Sequence, residues 1–177
     1  MFLAKIFRRK SDDRAVDFAY TAIVAAARRP FLYEELAVAD TLDGRFDMVT
    51  LHAFALMERL KAGDQAAQAF SQELADRIFQ EMDLSFREMG VGDLSVAKRV
   101  RKLAEIFYGR FAAYDAALRA GEATFSHALR RNVYPEGVAP EKLAALSRYA
   151  MELRAALASH DMARLIAGDV RFPEAKP

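Results

Sequence analysis

Three histidines, His52, His127 and His160, are the first residues to weigh for chemistry, because imidazole titrates near neutral pH and binds metals. None has Glu or Asp three residues before it, so the Glu-x-x-His pair of helical di-iron bundles is missing. The His-Glu-x-x-His zinc pattern is missing too. Cysteine is absent, which removes disulfides, thiolate metal sites, iron–sulfur clusters and Cys nucleophiles together. His52 lies in an apolar run, where a core histidine with one hydrogen-bond partner is expected rather than a ligand or catalyst. Gly90-Val-Gly92-Asp-Leu-Ser95 is half of a dinucleotide fingerprint, but it lacks the third Gly and follows a helical pattern instead of a strand. No Walker A sequence or Gly-x-Ser-x-Gly elbow occurs. No nucleophile, base and stabiliser converge, so no catalytic residue, metal or cofactor is expected.

The charged clusters carry less specific chemistry. Lys98, Arg99, Arg101 and Lys102 follow a helix start whose backbone N–H groups could meet an anion. Glu73, Asp76, Glu81, Asp83 and Glu88 precede them on another helix and are expected to neutralise them within the fold. Asp40-Thr-Leu-Asp43-Gly-Arg45-Phe-Asp47 is dense in charge for the start of a buried helix; Arg45 can fork onto a carboxylate, and the acids suit the helix dipole. Lys plus Arg number 26 against 25 Asp plus Glu, a net charge of +1, so no overall field favours a nucleic-acid partner.

The N-terminus places Phe2, Leu3, Ile6 and Phe7 on one helical face, with Lys5, Arg8 and Arg9 mostly elsewhere. A signal peptide is not expected, because the basic residues follow the apolar ones. Two readings stand: a membrane-surface anchor, and a frayed terminus.

These residues must be positioned by helices. The chain has 177 residues, one domain's worth. Hydrophobic residues are 53% and charged residues 29%, which excludes a disordered chain. The mean hydropathy of −0.05 and the short apolar run from Phe18 to Ala27 do not suggest a spanning helix. Apolar residues recur at spacings of three and four throughout, without period-2 alternation. Helices are expected from Asp12 or Asp13 to Arg29, from Asp40 or Thr41 to Ala62, and from Gln65 to Met89. Others run from Asp93 or Ser95 to Gly121, from Ala123 to Asn132, and from Pro140 past Leu157. Residues 31–39 are irregular or helical, and Asp161 to Ala167 can add a turn or two. The helix from Thr41 is apolar nearly all round, as a buried central helix must be. The expected fold is all-α: one compact domain of about six or seven helices. A basic amphipathic segment covers residues 1–11, the helical domain 12–168, and a loose tail 169–177.

Three stretches, in order and spacing, resemble the ubiquinol–cytochrome c chaperone family. The first is Ala27-Arg-Arg-Pro-Phe-Leu-Tyr33 with Asp40-Thr-Leu-Asp-Gly-Arg-Phe-Asp-Met48 and Leu51-His52. The second is Met82-Asp-Leu-Ser-Phe-Arg-Glu-Met-Gly-Val-Gly-Asp-Leu94 with Lys98-Arg-Val-Arg-Lys102. The third is Phe107-Tyr-Gly-Arg110 with Leu129-Arg-Arg-Asn-Val-Tyr134. The likeness covers residues 18–134, and the length resembles the alphaproteobacterial branch. It implies a non-enzymatic assembly factor that binds newly made cytochrome b for respiratory complex III, alongside a small partner protein, in the cytoplasm and peripheral on the inner membrane.

No family binding map is carried over. The candidate partner-binding residues follow from the matching motifs: Phe31, Tyr33, Arg45, Asp47, Arg87, Asp93, Lys98, Arg99, Tyr108 and Arg110. Phe31, Leu32, Tyr33 and Tyr108 are expected on an exposed apolar patch, and Phe107 in the core. Phe2, Leu3, Lys5, Ile6, Phe7, Arg8 and Arg9 are the candidate membrane-surface residues. The alternative function is a helical carrier or enzyme with an interior pocket for a quinone, lipid or haem. An interior cavity lined by His52 would favour it, and a filled core with an apolar surface groove would favour the chaperone.

Overall fold

The computed structural model describes residues 13–174. Eight helices form in chain order: α1 (Asp13–Ala27), α2 (Pro30–Glu34), α3 (Leu42–Lys61), α4 (Gln65–Glu88), α5 (Asp93–Ala120), α6 (Glu122–Val133), α7 (Pro140–Ala158) and α8 (Met162–Ile166). No strand occurs among the described residues. The count exceeds six or seven because the two segments left open, α2 and α8, each close a five-residue helix. The expected basic segment over residues 1–11 lies outside the described residues.

Helix boundaries follow local chemistry. α1 stops at Ala27, short of the expected Arg29, because Arg29 precedes a proline and takes extended backbone (φ −62°, ψ 129°). Thr41 caps α3 by accepting from the Gly44 N–H at 3.2 Å. Asp64 caps α4 through the Ala67 N–H at 3.0 Å, and Asp161 caps α8 through Ala163 at 2.7 Å. α5 differs from expectation: Gly92 is its N-cap without a side-chain bond, and Asp93 turns instead to Arg87.

α3 is the hub. It touches α1, α4, α5, α6 and α7, and eight of its apolar side chains are buried: Phe46, Met48, Leu51, Ala53, Phe54, Ala55, Leu56 and Leu60. Gly44 is required at its start, since a Cβ there would stand 1.9 Å from the Ala39 carbonyl oxygen. Thr50 and His52 are buried with their bonds made. Thr50 donates to the Phe46 carbonyl at 2.8 Å, while His52 Nδ1 meets the Met48 carbonyl and Nε2 the Tyr149 hydroxyl, both at 2.7 Å. His52 is therefore a core histidine with two partners, and burial pushes its pKa down to about 4.

The tail expected to be loose from residue 169 is anchored over residues 170–173. Val170 and Phe172 are buried, Phe172 packs edge-on against His52 at 5.2 Å, and Arg29 donates to the Phe172 and Pro173 carbonyls. Apolar burial and two backbone acceptors outweigh the turn-like composition of the segment.

α4 and α5 outrun the core. Ile78 is the last α4 residue in the main core and Phe107 the first of α5. Between them residues 79–106 form a helical hairpin in which only Val96 is buried.

Candidate functional site

Two of the three resembling stretches converge on one buried ion pair. α3 brings Asp47 and α5 brings Arg110 into contact, with little of either side chain exposed. The Arg110 guanidinium lies 5.6 Å over the Phe46 ring and donates to the Asn132 carbonyl of α6 at 3.4 Å. Asn132 in turn donates to the Ala128 carbonyl at 2.8 Å. The Gly-Arg-Phe-Asp, Phe-Tyr-Gly-Arg and Leu-Arg-Arg-Asn motifs thus tie α3, α5 and α6 together. Burial pushes the Asp47 carboxyl up to about 7, with Arg110 pulling the other way. The nearby Tyr114 hydroxyl is buried without a hydrogen-bond partner, and burial raises its pKa. This cluster ties three helices together, and the ion pair leaves little of the Asp47 and Arg110 side chains at the surface.

The first stretch also forms a recess of about 500 Å³ lined by Arg28, Pro30, Tyr33, Glu34, Asp40 and Arg45. Arg45 pairs with Asp40 at 2.7 Å in solvent, and its hydrogen bond holds the Asp40 carboxyl below the usual carboxylate range. Such an exposed pair shapes the rim more than it stabilises the fold. The apolar patch expected at residues 31–33 is corrected. Leu32 is fully buried, Phe31 is half-buried with its edge on Tyr149 at 5.2 Å, and Tyr33 donates to the Ala27 carbonyl at 2.6 Å. The short helix α2 turns this run inward.

The second stretch lies apart, at the end of the α4–α5 hairpin. Arg87 bridges Asp83 and Asp93, each at 2.5 Å, which pins the two helices across the turn. Arg99 lies 5.7 Å over the Phe86 ring. The expected neutralisation of the basic α5 start by α4 carboxylates is corrected, because Glu81 pairs with Arg77 at 2.9 Å and Asp83 with Arg87. Lys98, Arg101 and Lys102 take no ion pair among the described residues.

A groove that sequence reasoning missed lies between α3, α4 and α5. Its volume is about 510 Å³, with Phe54, Met57, Phe111 and Ala112 as apolar lining and Glu58, Lys61, Gln68, Ser71 and Asp115 as polar lining. Lys61 and Asp115 pair across it at 3.4 Å. Phe111 stacks on Phe107 at 4.5 Å and meets Phe54 edge-on at 5.3 Å, so rings from α3 and α5 fix the floor. Tyr108, 47% exposed, continues the same α5 face one turn away. Phe107 is fully buried, as expected.

Both recesses open to solvent, and His52 lines neither. Among the described residues no group of His, Asp and Glu is placed to hold a metal ion, and no helix is long and apolar enough to cross a membrane.

Residues 34–172 match the family described as ubiquinol-cytochrome C chaperone. The ubiquinol-cytochrome-c reductase complex assembly factor 1 of Xenopus laevis is 24% identical over 131 residues, 73% of this chain. The matched region spans 66% of that relative's length, just under two thirds. The crystal structure of the Cbp3 homologue from Brucella abortus matches with a TM-score of 0.81 and 39% identity, over 93% of this chain and 92% of that one.

Proposed function

Because the chain belongs to the ubiquinol–cytochrome C chaperone family, we propose that it is a non-enzymatic assembly chaperone for the ubiquinol–cytochrome c reductase complex. Its client is newly made cytochrome b, whose apolar segments need cover before they pair. The observation that carries this reading is the α3–α4–α5 groove: an open, ring-floored channel beside a core in which His52 has both ring nitrogens bonded. Its ring floor suits an apolar segment, and its polar residues keep the empty groove soluble. The pocket-carrier alternative gains no support, since His52 is packed with both ring nitrogens bonded. The Tyr33–Arg45 recess is a second contact surface for the client or a small partner protein. The basic residues 1–11 hold the protein near the inner membrane.

Two measurements test this. Deleting the gene is expected to lower cytochrome b and ubiquinol oxidation by complex III, and normal levels of both would end the reading. A photo-crosslinking residue at Ala112 is expected to capture newly made cytochrome b, whereas one at the exposed Ala155 of α7 does not. Equal capture from both positions would remove the groove from the proposal.

A further inference from the structure

The end of the α4–α5 hairpin joins three features. It is apolar where it is most exposed: Leu94 is 92% exposed, Met89 53% and Leu84 51%. It is basic immediately behind. Leu94, Lys98, Arg101 and Lys102 recur at spacings of three and four, so they share one face of α5, opposite the inward Val96, Val100 and Leu103. It also projects, because residues 83–102 carry the two helices past Phe79, Met82, Leu103 and Ile106, which pack against the main core.

The charges there are not spent within the fold. Arg87 is taken by Asp83 and Asp93, and Arg99 lies on Phe86. Residues 79–106 hold five cations and five carboxylates, but Lys98, Arg101 and Lys102 gather on one face of α5 outside every ion pair among the described residues, with Glu105 the arm carboxylate on that face. At about 1.5 Å per residue, Lys98 stands about 6 Å and Lys102 about 12 Å behind Leu94 along the helix. An interfacial apolar face sinks about 5–10 Å, which places these cations at headgroup depth when Leu94 and Met89 are inserted.

We propose that the α4–α5 hairpin tip docks on an anionic phospholipid surface, with Leu84, Met89 and Leu94 entering the interface and Lys98, Arg101 and Lys102 binding lipid phosphates. A folded protein partner fits less well. Residues 84–94 are eleven positions, whereas a stable protein interface engages about 20–30 residues a side. A bilayer needs no such area, only apolar insertion beside cations. The groove residue Ala112 lies on the same α5 face as Leu94, about 27 Å up the helix. A docked tip therefore holds the groove above the membrane, facing along the arm. The inference stands without the identity of the client.

The test is flotation of the full chain with phosphatidylcholine vesicles, with and without phosphatidylglycerol. The chain is expected to float with anionic vesicles and not with neutral ones. Combining Lys98→Glu, Arg101→Glu and Lys102→Glu is expected to weaken binding roughly a hundredfold or more, at about tenfold or less for each cation removed. Met89→Asp with Leu94→Asp, at exposed positions that leave the fold intact by circular dichroism, is expected to cut flotation far below that of the parent, to what the N-terminal segment alone supports. Lys5→Glu with Arg8→Glu and Arg9→Glu separates the N-terminal segment, and flotation is expected to persist. The proposal is overturned if the tip variants float as the parent does, if flotation depends on the N-terminal cations alone, or if the parent is a dimer that Leu94→Asp dissolves.

Discussion

The α3-centred body and the α4–α5 arm are built from helices of the same period, yet they solve opposite problems. The body buries even its polar groups, and Asp47, Thr50 and His52 each find a partner inside it. The arm leaves a leucine almost bare at its tip and three cations unpaired among the described residues. The body spends its side chains on holding one shape, whereas the arm keeps its side chains free for something outside the chain. A clamp and a surface call for different residues at similar helical spacing.

The largest expected break in this contrast comes from the body. Phe70 is fully buried in the core, and Phe70→Ala is expected to cost about 3–5 kcal/mol in denaturant unfolding. A loss below about 1 kcal/mol would mean that α4 is not seated as described.

The next largest effect tests the clamp. Arg110→Met leaves Asp47 buried without its cation, a change expected to cost about 3–5 kcal/mol near neutral pH. The pH dependence has a definite sign. Asp47 has a folded pKa of about 7, above the ordinary 3.8, so the folded state binds the extra proton between these values and stability falls as pH rises through that window. Removing Arg110 takes away the pull toward the charged form, so urea titrations are expected to find a larger deficit at pH 8 than at pH 5. His52 slopes the other way, because its folded pKa of about 4 lies below the ordinary 6.5 and stability falls as pH drops through that range. Comparing variant with parent at each pH cancels the histidine. A deficit that shrinks with rising pH would overturn this account of the pair.

The smallest effect sharpens the contrast from the arm. Leu94→Ser is expected to shift stability by no more than about 0.5 kcal/mol, because the side chain has almost nothing to lose. A thermal melt that drops as far as that of Phe70→Ala would mean that the tip packs on the body after all.

The helices and their ends were largely legible in the sequence, because Thr41, Asp64, Asp161 and the prolines at 30 and 140 act locally. The central place of α3 was legible for the same reason: its apolar residues run round the whole cylinder. The sites were not. Phe31, Leu32 and Tyr33 read as an apolar patch, but α2 turns Leu32 inward and lays Phe31 on Tyr149, 118 positions further along the chain. The acids of α4 read as partners for the cations of α5, but helical spacing gave them arginines one turn away first. The groove needed three helices at once, and no window of sequence spans Met57, Ser71 and Ala112.

Composition, periodicity and caps, all local quantities, determined that this chain is all-α, has a buried central helix and carries no metal-binding or nucleophilic motif. The motif stretches, in order, pointed to its family. The tertiary structure decided what those stretches do: Asp47, Arg110 and Asn132 close a clamp, while Arg87 and Asp93 pin a projecting hairpin. Burial and ion pairing depend on which faces meet, and the faces that meet are set by residues far apart in the chain.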